Sequence, residues 1–156
     1  MATQRRATAG FVLDSMFLVF LACDSSPTEP ERSIGFQTVL KAVLPGDPTP
    51  LPDREVIHDR ATWQTVWTEL YGGQAPPLPQ VDFDREMVVL VTGPGCCGSA
   101  EILSIDQKGG EIVVKALSQA SPNTLCILAD FSVHVVRLPR IELPVRFDVR
   151  TGEKLC

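Results

Sequence analysis

The chain has 156 residues, 44% of them apolar and 21% charged, with a formal charge of −5. That length suits one globular domain with short appendages. Acidic residues are scattered and no Lys/Arg cluster with interleaved aromatics occurs, so nucleic acids and other polyanions are poor candidate partners.

At the N-terminus, Arg5 and Arg6 precede an apolar stretch from Gly10 to Ala22, and Leu21-Ala22-Cys23 sets a small residue before a cysteine. The arrangement resembles a bacterial lipoprotein signal peptide, in which that cysteine becomes the lipidated first residue of the mature chain. Residues 1–22 are therefore expected to be a signal peptide and Cys23 the lipidation site, while Asp24 resembles the signal that retains such proteins in the inner membrane. Asp14 interrupts the apolar stretch, and Phe20 stands where such signals usually carry Leu. An ordinary secretory signal and a misassigned start codon are the alternatives. The run is too short for a transmembrane helix, which needs about 20 apolar residues. Acyl chains would hold the domain on a membrane of the bacterial envelope, facing the periplasm or the outside, without spanning it.

Ser25 to Arg32 is polar and proline-containing, and residues 23–34 read as a flexible tether, leaving 35–156 as one domain. Phe36–Val43 and Glu55–His58 are expected strands, separated by a proline-rich loop from Pro45 to Pro52. Asp59 can cap a helix in which Trp63, Val66, Trp67 and Leu70 share one face, and Tyr71-Gly72-Gly73 ends it. Five further strands are expected at Met87–Thr92, Ala100–Asp106, Glu111–Leu117, Ser132–Leu138 and Pro144–Arg150, with Lys108-Gly109-Gly110 as a hairpin turn. Short loops between sequential strands imply antiparallel pairing. The expected class is α+β, predominantly antiparallel: a twisted sheet or open barrel with one amphipathic helix packed on it.

Gly93-Pro94-Gly95-Cys96-Cys97-Gly98 is a literal G-x-G-x-x-G, but a strand-like segment follows it where a dinucleotide site needs a helix N-terminus. No cofactor is implied. Cys96-Cys97 lacks the C-x-x-C spacing of a redox motif, and adjacent Cα atoms stand closer than the usual disulfide range. Cys126 is expected to pair with Cys156, which would tie down the end of the chain and stabilise it by about 3 to 4 kcal/mol. That leaves Cys96 and Cys97 as a vicinal pair or as free thiols; the competing pattern joins one of them to Cys126 and the other to Cys156. A Cys nucleophile would need His58 or His134 as its base, and each reads more simply as a half-exposed strand histidine than as a base or zinc ligand. Asp82, Asp84 and Glu86 would share one face of an extended chain, yet they lack the carbonyl donors and loop of a calcium site, and a polar strand entry with Phe83 turned inward is the simpler reading. No catalytic or metal-binding residue is expected.

Trp63-x-x-x-Trp67 on a helix, then Val81-Asp82-Phe83-Asp84-Arg85-Glu86-Met87-Val88-Val89, a glycine-bearing turn ending in Gly98, and Val133-His134-Val135-Val136-Arg137-Leu138-Pro139 follow one another in order. Together, over about residues 50 to 150, they resemble the C-terminal domain family of protease-complex subunit PrcB. In that family the turn usually reads Thr-Gly-Gly-Tyr, where this chain has Cys97, Gly98, Ser99 and Ala100; Ser132-Val133 replaces a Pro-Tyr pair. The resemblance implies an exported or lipid-anchored accessory protein without catalytic residues. The expected function is a non-catalytic protein-binding or scaffolding module of the envelope, whose partner is another envelope protein, met through the loop of Gly93, Gly95, Gly98 and Ser99 or through an exposed sheet edge. The alternatives are a small thiol-dependent redox or hydrolytic enzyme using Cys96 and Cys97, and a small-ligand binder with a pocket beside Trp63 or Trp67.

Overall fold

The computed structural model describes residues 30–48, 50–72, 74–121 and 129–153. In chain order its elements are β1 (Arg32–Ser33), β2 (Gln37–Pro45), β3 (Arg54–Ile57), α1 (Arg60–Leu70), β4 (Glu86–Pro94), β5 (Ser99–Lys108), β6 (Glu111–Ala120), β7 (Asp130–Pro139) and β8 (Val145–Glu153). The strands form two four-stranded sheets, ordered β1-β5-β6-β8 and β2-β7-β4-β3. This is the expected α+β class, mostly antiparallel, and the described strands do not close into a barrel.

Three layers follow from the residue pattern. Met87-Val88-Val89-Leu90-Val91 in β4 is a continuous apolar run because both of its faces are buried. Met87 and Val89 join Ile102, Ile105, Ile112, Val114, Val136 and Leu138 in the layer between the sheets. Val88 and Leu90 turn the other way and, with Val133 and Val135, meet Trp63, Val66, Trp67 and Leu70 of α1. Each such aliphatic side chain contributes about 1.5 to 3 kcal/mol by leaving water.

The helix forms as its sequence dictates. Asp59 Oδ1 accepts the Thr62 backbone N–H at 2.8 Å, and its Oδ2 accepts the Thr62 hydroxyl at 2.8 Å. These bonds hold the Asp59 carboxyl below its ordinary pKa. Gly72, at φ 58°, follows the Tyr71 C-cap. Trp63 and Trp67 lie with ring centroids 5.1 Å apart, and their Nε1 atoms donate to the carbonyls of Pro79 and Pro76. The proline-rich segment after the helix therefore serves as its lid. Ala75, Leu78, Val81 and Phe83 pack there, so the space beside the tryptophans is occupied, not an open pocket.

Several expectations are corrected. β6 and β8 pair in parallel, because the chain crosses to the other sheet as β7 before returning. Arg32–Ser33, inside the expected tether, pairs with Asp106 and Gln107 of β5, and Ile34 is buried in the inter-sheet layer. Val81–Glu86 is not extended: Arg85 N and Glu86 N donate to the Asp82 carbonyl, and Asp84 N donates to Asp82 Oδ1. The three carboxylates therefore do not share a strand face. The hairpin at Gly109-Gly110 matches its expectation, with φ of 58° and 79°. Among the described residues no helix is long and apolar enough to cross a membrane.

Candidate binding site at the cysteine turn

β4 and β5 belong to different sheets, and the chain passes between them through Gly95-Cys96-Cys97-Gly98. Gly98 N donates to the Gly95 carbonyl at 2.8 Å, closing a tight turn. Its two central residues, Cys96 at φ 53° and Cys97 at φ 67°, lie in the left-handed region, at a cost of about 1 to 3 kcal/mol each. Both cysteines are disulfide-bonded. Neither sulfur is then a thiolate nucleophile. The expected bond between Cys126 and Cys156 and the expected lipidation of Cys23 lie outside the described residues.

The glycines of this turn answer to packing. A Cβ on Gly95 would stand 1.8 Å from Asp130 Oδ1, and one on Gly98 would stand 2.4 Å from the Pro94 carbonyl oxygen. Gly95 and Gly98 are buried, Gly93 and Ser99 are half-buried, and the exposed members of the segment are Pro94 and Cys97. Ser99 Oγ donates to Gln119 Oε1 at 3.3 Å. Of the expected interaction loop of Gly93, Gly95, Gly98 and Ser99, the structure thus makes an internal support more than a contact surface. After Gly98 the chain enters β5, so no helix N-terminus stands where a pyrophosphate would need one.

His134 departs furthest from its expectation. It is 3% exposed, on the face of β7 that looks toward the other sheet. Its Nδ1 accepts the Ile102 backbone N–H at 2.9 Å, and its Nε2 lies 3.0 Å from Thr38 Oγ1. Because Nδ1 accepts, the ring proton of the neutral imidazole sits on Nε2, which donates to the Thr38 hydroxyl. Burial is the main cause that pushes the His134 pKa down, and the Lys41 charge adds to it. Lys41 in turn pairs with Glu101, a second tie between the sheets. His58 lies elsewhere: it follows β3, whose Ile57 pairs with Val88, whereas His134 pairs with Val91. Among the described residues no group of three His, Cys, Asp or Glu side chains is arranged to hold a metal.

Beside the turn the inter-sheet layer thins. Isoleucine, valine, methionine and leucine fill it elsewhere, but here the inward positions are Gly93, Ala100, Ala116, Ser118 and Ser132. A cavity of about 490 Å³ results, walled among the described residues by parts of β3 to β8. Ala100, Ala116 and Val149 give it apolar walls, while Asp53, Arg54, Ser118, Asp130 and Thr151 bring polar groups to it. The volume and the mixture suit a small-molecule site. Sequence reasoning placed the ligand alternative beneath the helix; the signal for this cavity is the run of small residues at inward strand positions.

Outward, β8 presents a second surface. Nine residues long, it is paired with β6 on one side, and no described strand pairs with its other side. Ile112 N donates to the Pro144 carbonyl, so the backbone groups of Phe147 and Val149, at odd steps from Pro144, point to the unpaired side. Comparison of the chain with protein-family models, curated proteins and solved structures finds no match.

Proposed function

We propose that this chain is a non-catalytic binding or scaffolding module of the bacterial envelope, anchored through a lipidated Cys23, that takes an extended segment of another envelope protein on the outer edge of β8. The observation that carries the reading is the long side of β8 that no described strand pairs with, with the N–H groups of Phe147 and Val149 directed outward. A row of such groups is a template for an added strand. The other edges offer less: β1 has two residues and β3 has four, while β2, also nine residues long, is broken by a bulge between Thr38 and Leu40. Arg146 and Asp148 of β8 supply charges of both signs for choosing a partner.

The resemblance to PrcB-like domains supports an accessory role. In this structure Cys96 and Cys97 are disulfide-bonded and both ring nitrogens of His134 hold structural bonds, so neither a free thiolate nor His134 as its base is offered. The test is crosslinking in membranes that carry the tagged full-length chain, followed by identification of captured proteins. One envelope protein recovered in every replicate supports the reading; background alone counts against it.

A further inference from the structure

We propose that the inter-sheet cavity beside the cysteine turn binds a small organic cation, an ammonium group on a short apolar body, with Asp130 receiving the charge. The cavity's inner walls, Ala100, Ala116 and Val149, can bury the apolar body. Asp130 is half-buried and makes no hydrogen bond or ion pair among the described residues. The carboxylate is thus open to an ammonium donor, and a charge-assisted bond to it is stronger than a neutral one.

The surroundings hold that carboxylate in place. Gly95 leaves the room that Asp130 Oδ1 occupies, since any Cβ there would collide with it. Behind the wall, Ser132 is 3% exposed and its hydroxyl has no hydrogen-bond partner. It lies 3.2 Å from where a Gly93 Cβ would stand, and Ser118 Oγ lies 2.9 Å from the same point. The inner end is thus polar and kept free of side-chain bulk, next to an apolar body site.

Sign follows from charge and exposure. Asp53, Arg54 and Asp130 all line the cavity, a net charge of one negative unit. Arg54 and Asp53 are exposed, so water screens them, while the less exposed Asp130 acts through a lower dielectric. A cation is favoured over a neutral or anionic molecule of the same shape.

The inference stands apart from partner binding at β8, because its test uses free small molecules with no partner present. The isotope-labelled full-length chain in detergent micelles is titrated with n-butylammonium, and with n-butanol and n-butyrate as neutral and anionic probes at constant ionic strength. The expected result is saturable shifts of the Ala116, Ser118 and Thr151 amides with n-butylammonium alone. Asp130→Asn is expected to weaken that binding about tenfold or more, the usual loss when a charge-assisted bond is removed, while Asp84→Asn, at an exposed carboxylate away from the cavity, leaves it unchanged. Equal response to n-butanol, no saturable response, or a response unaltered in Asp130→Asn overturns the proposal. Should Asp130→Asn lose its dispersed spectrum, Ala116→Leu, which fills the cavity, is read instead: abolished binding supports the site and retained binding overturns it.

Discussion

His134 Nδ1 accepts the backbone N–H of Ile102 at 2.9 Å, joining β7 of one sheet to β5 of the other. The bond falls beside the register shift between Ile102 and Ser104, where Leu103 is thrown outward to 52% exposure. Replacing His134 with Ala would leave the Ile102 amide and the Thr38 hydroxyl without their partner inside the fold. The expected cost is about 2 to 4 kcal/mol, measured by denaturant unfolding. A cost under about 0.5 kcal/mol would show that the bond does not join the sheets.

The same histidine sets a pH dependence. Its folded pKa lies below the ordinary value of 6.5, so the unfolded chain takes up a proton first as pH falls. The stabilising contribution is therefore complete above about 6.5 and is lost progressively below it, down to the folded pKa. His134→Gln is expected to flatten unfolding stability between pH 7 and 5. Asp106 acts in a lower window: burial raises its carboxyl pKa, but bonds from Lys115 and Ser104 outweigh that and hold it below 3.8, so its contribution goes only in stronger acid.

Two glycines should answer oppositely to alanine. Gly95→Ala drives a methyl into Asp130, including its backbone carbonyl, and is expected to cost about 2 kcal/mol or more. Gly35→Ala meets nothing within 4 Å and should be neutral, or stabilising by about 0.4 to 1 kcal/mol. Thermal unfolding of the pair checks the packing of the turn. Equal effects would contradict it.

Under the helix, Trp67→Phe removes the donor to the Pro76 carbonyl at 2.9 Å and is expected to cost about 1 to 2 kcal/mol. Trp63→Ala, at a residue 1% exposed, should cost about 3 to 5 kcal/mol. Urea unfolding separates the two.

At the turn, maleimide should leave Cys96 and Cys97 unmodified in the native protein and label them after reduction. Peptide mass spectrometry reads the sites. Label on either cysteine before reduction would return the thiol-enzyme reading to consideration.

What was legible in the sequence is what local physics decides. Asp59 and the Trp63, Val66, Trp67, Leu70 spacing specify α1, and Gly109-Gly110 specifies its hairpin, because each signal lies within a few residues. Every strand but β1, which lies inside the expected tether, was readable, but the sorting into two sheets was not. β4 to β5 looks like any glycine turn, yet it switches sheets, and the parallel β6-β8 pair depends on β7 passing between. His134 looked half-exposed because a polar residue in a strand ordinarily faces water. Its phase with Val136 and Leu138 marks the inward face, and so does that of Ser132. The cavity escaped notice because small residues carry no periodic signal of their own; only the facing strands show that Gly93, Ala100 and Ala116 meet.

Whether β8 receives a partner's strand is tested by one pair of variants. Val149→Pro removes an outward N–H without touching the β6 ladder, whereas Val149→Thr keeps that N–H and the side-chain shape. Membrane crosslinking is run with wild type and both variants, after circular dichroism confirms that each is folded. One envelope protein is expected to be captured by wild type and Val149→Thr and lost with Val149→Pro; undiminished capture by folded Val149→Pro would rule out strand addition at β8.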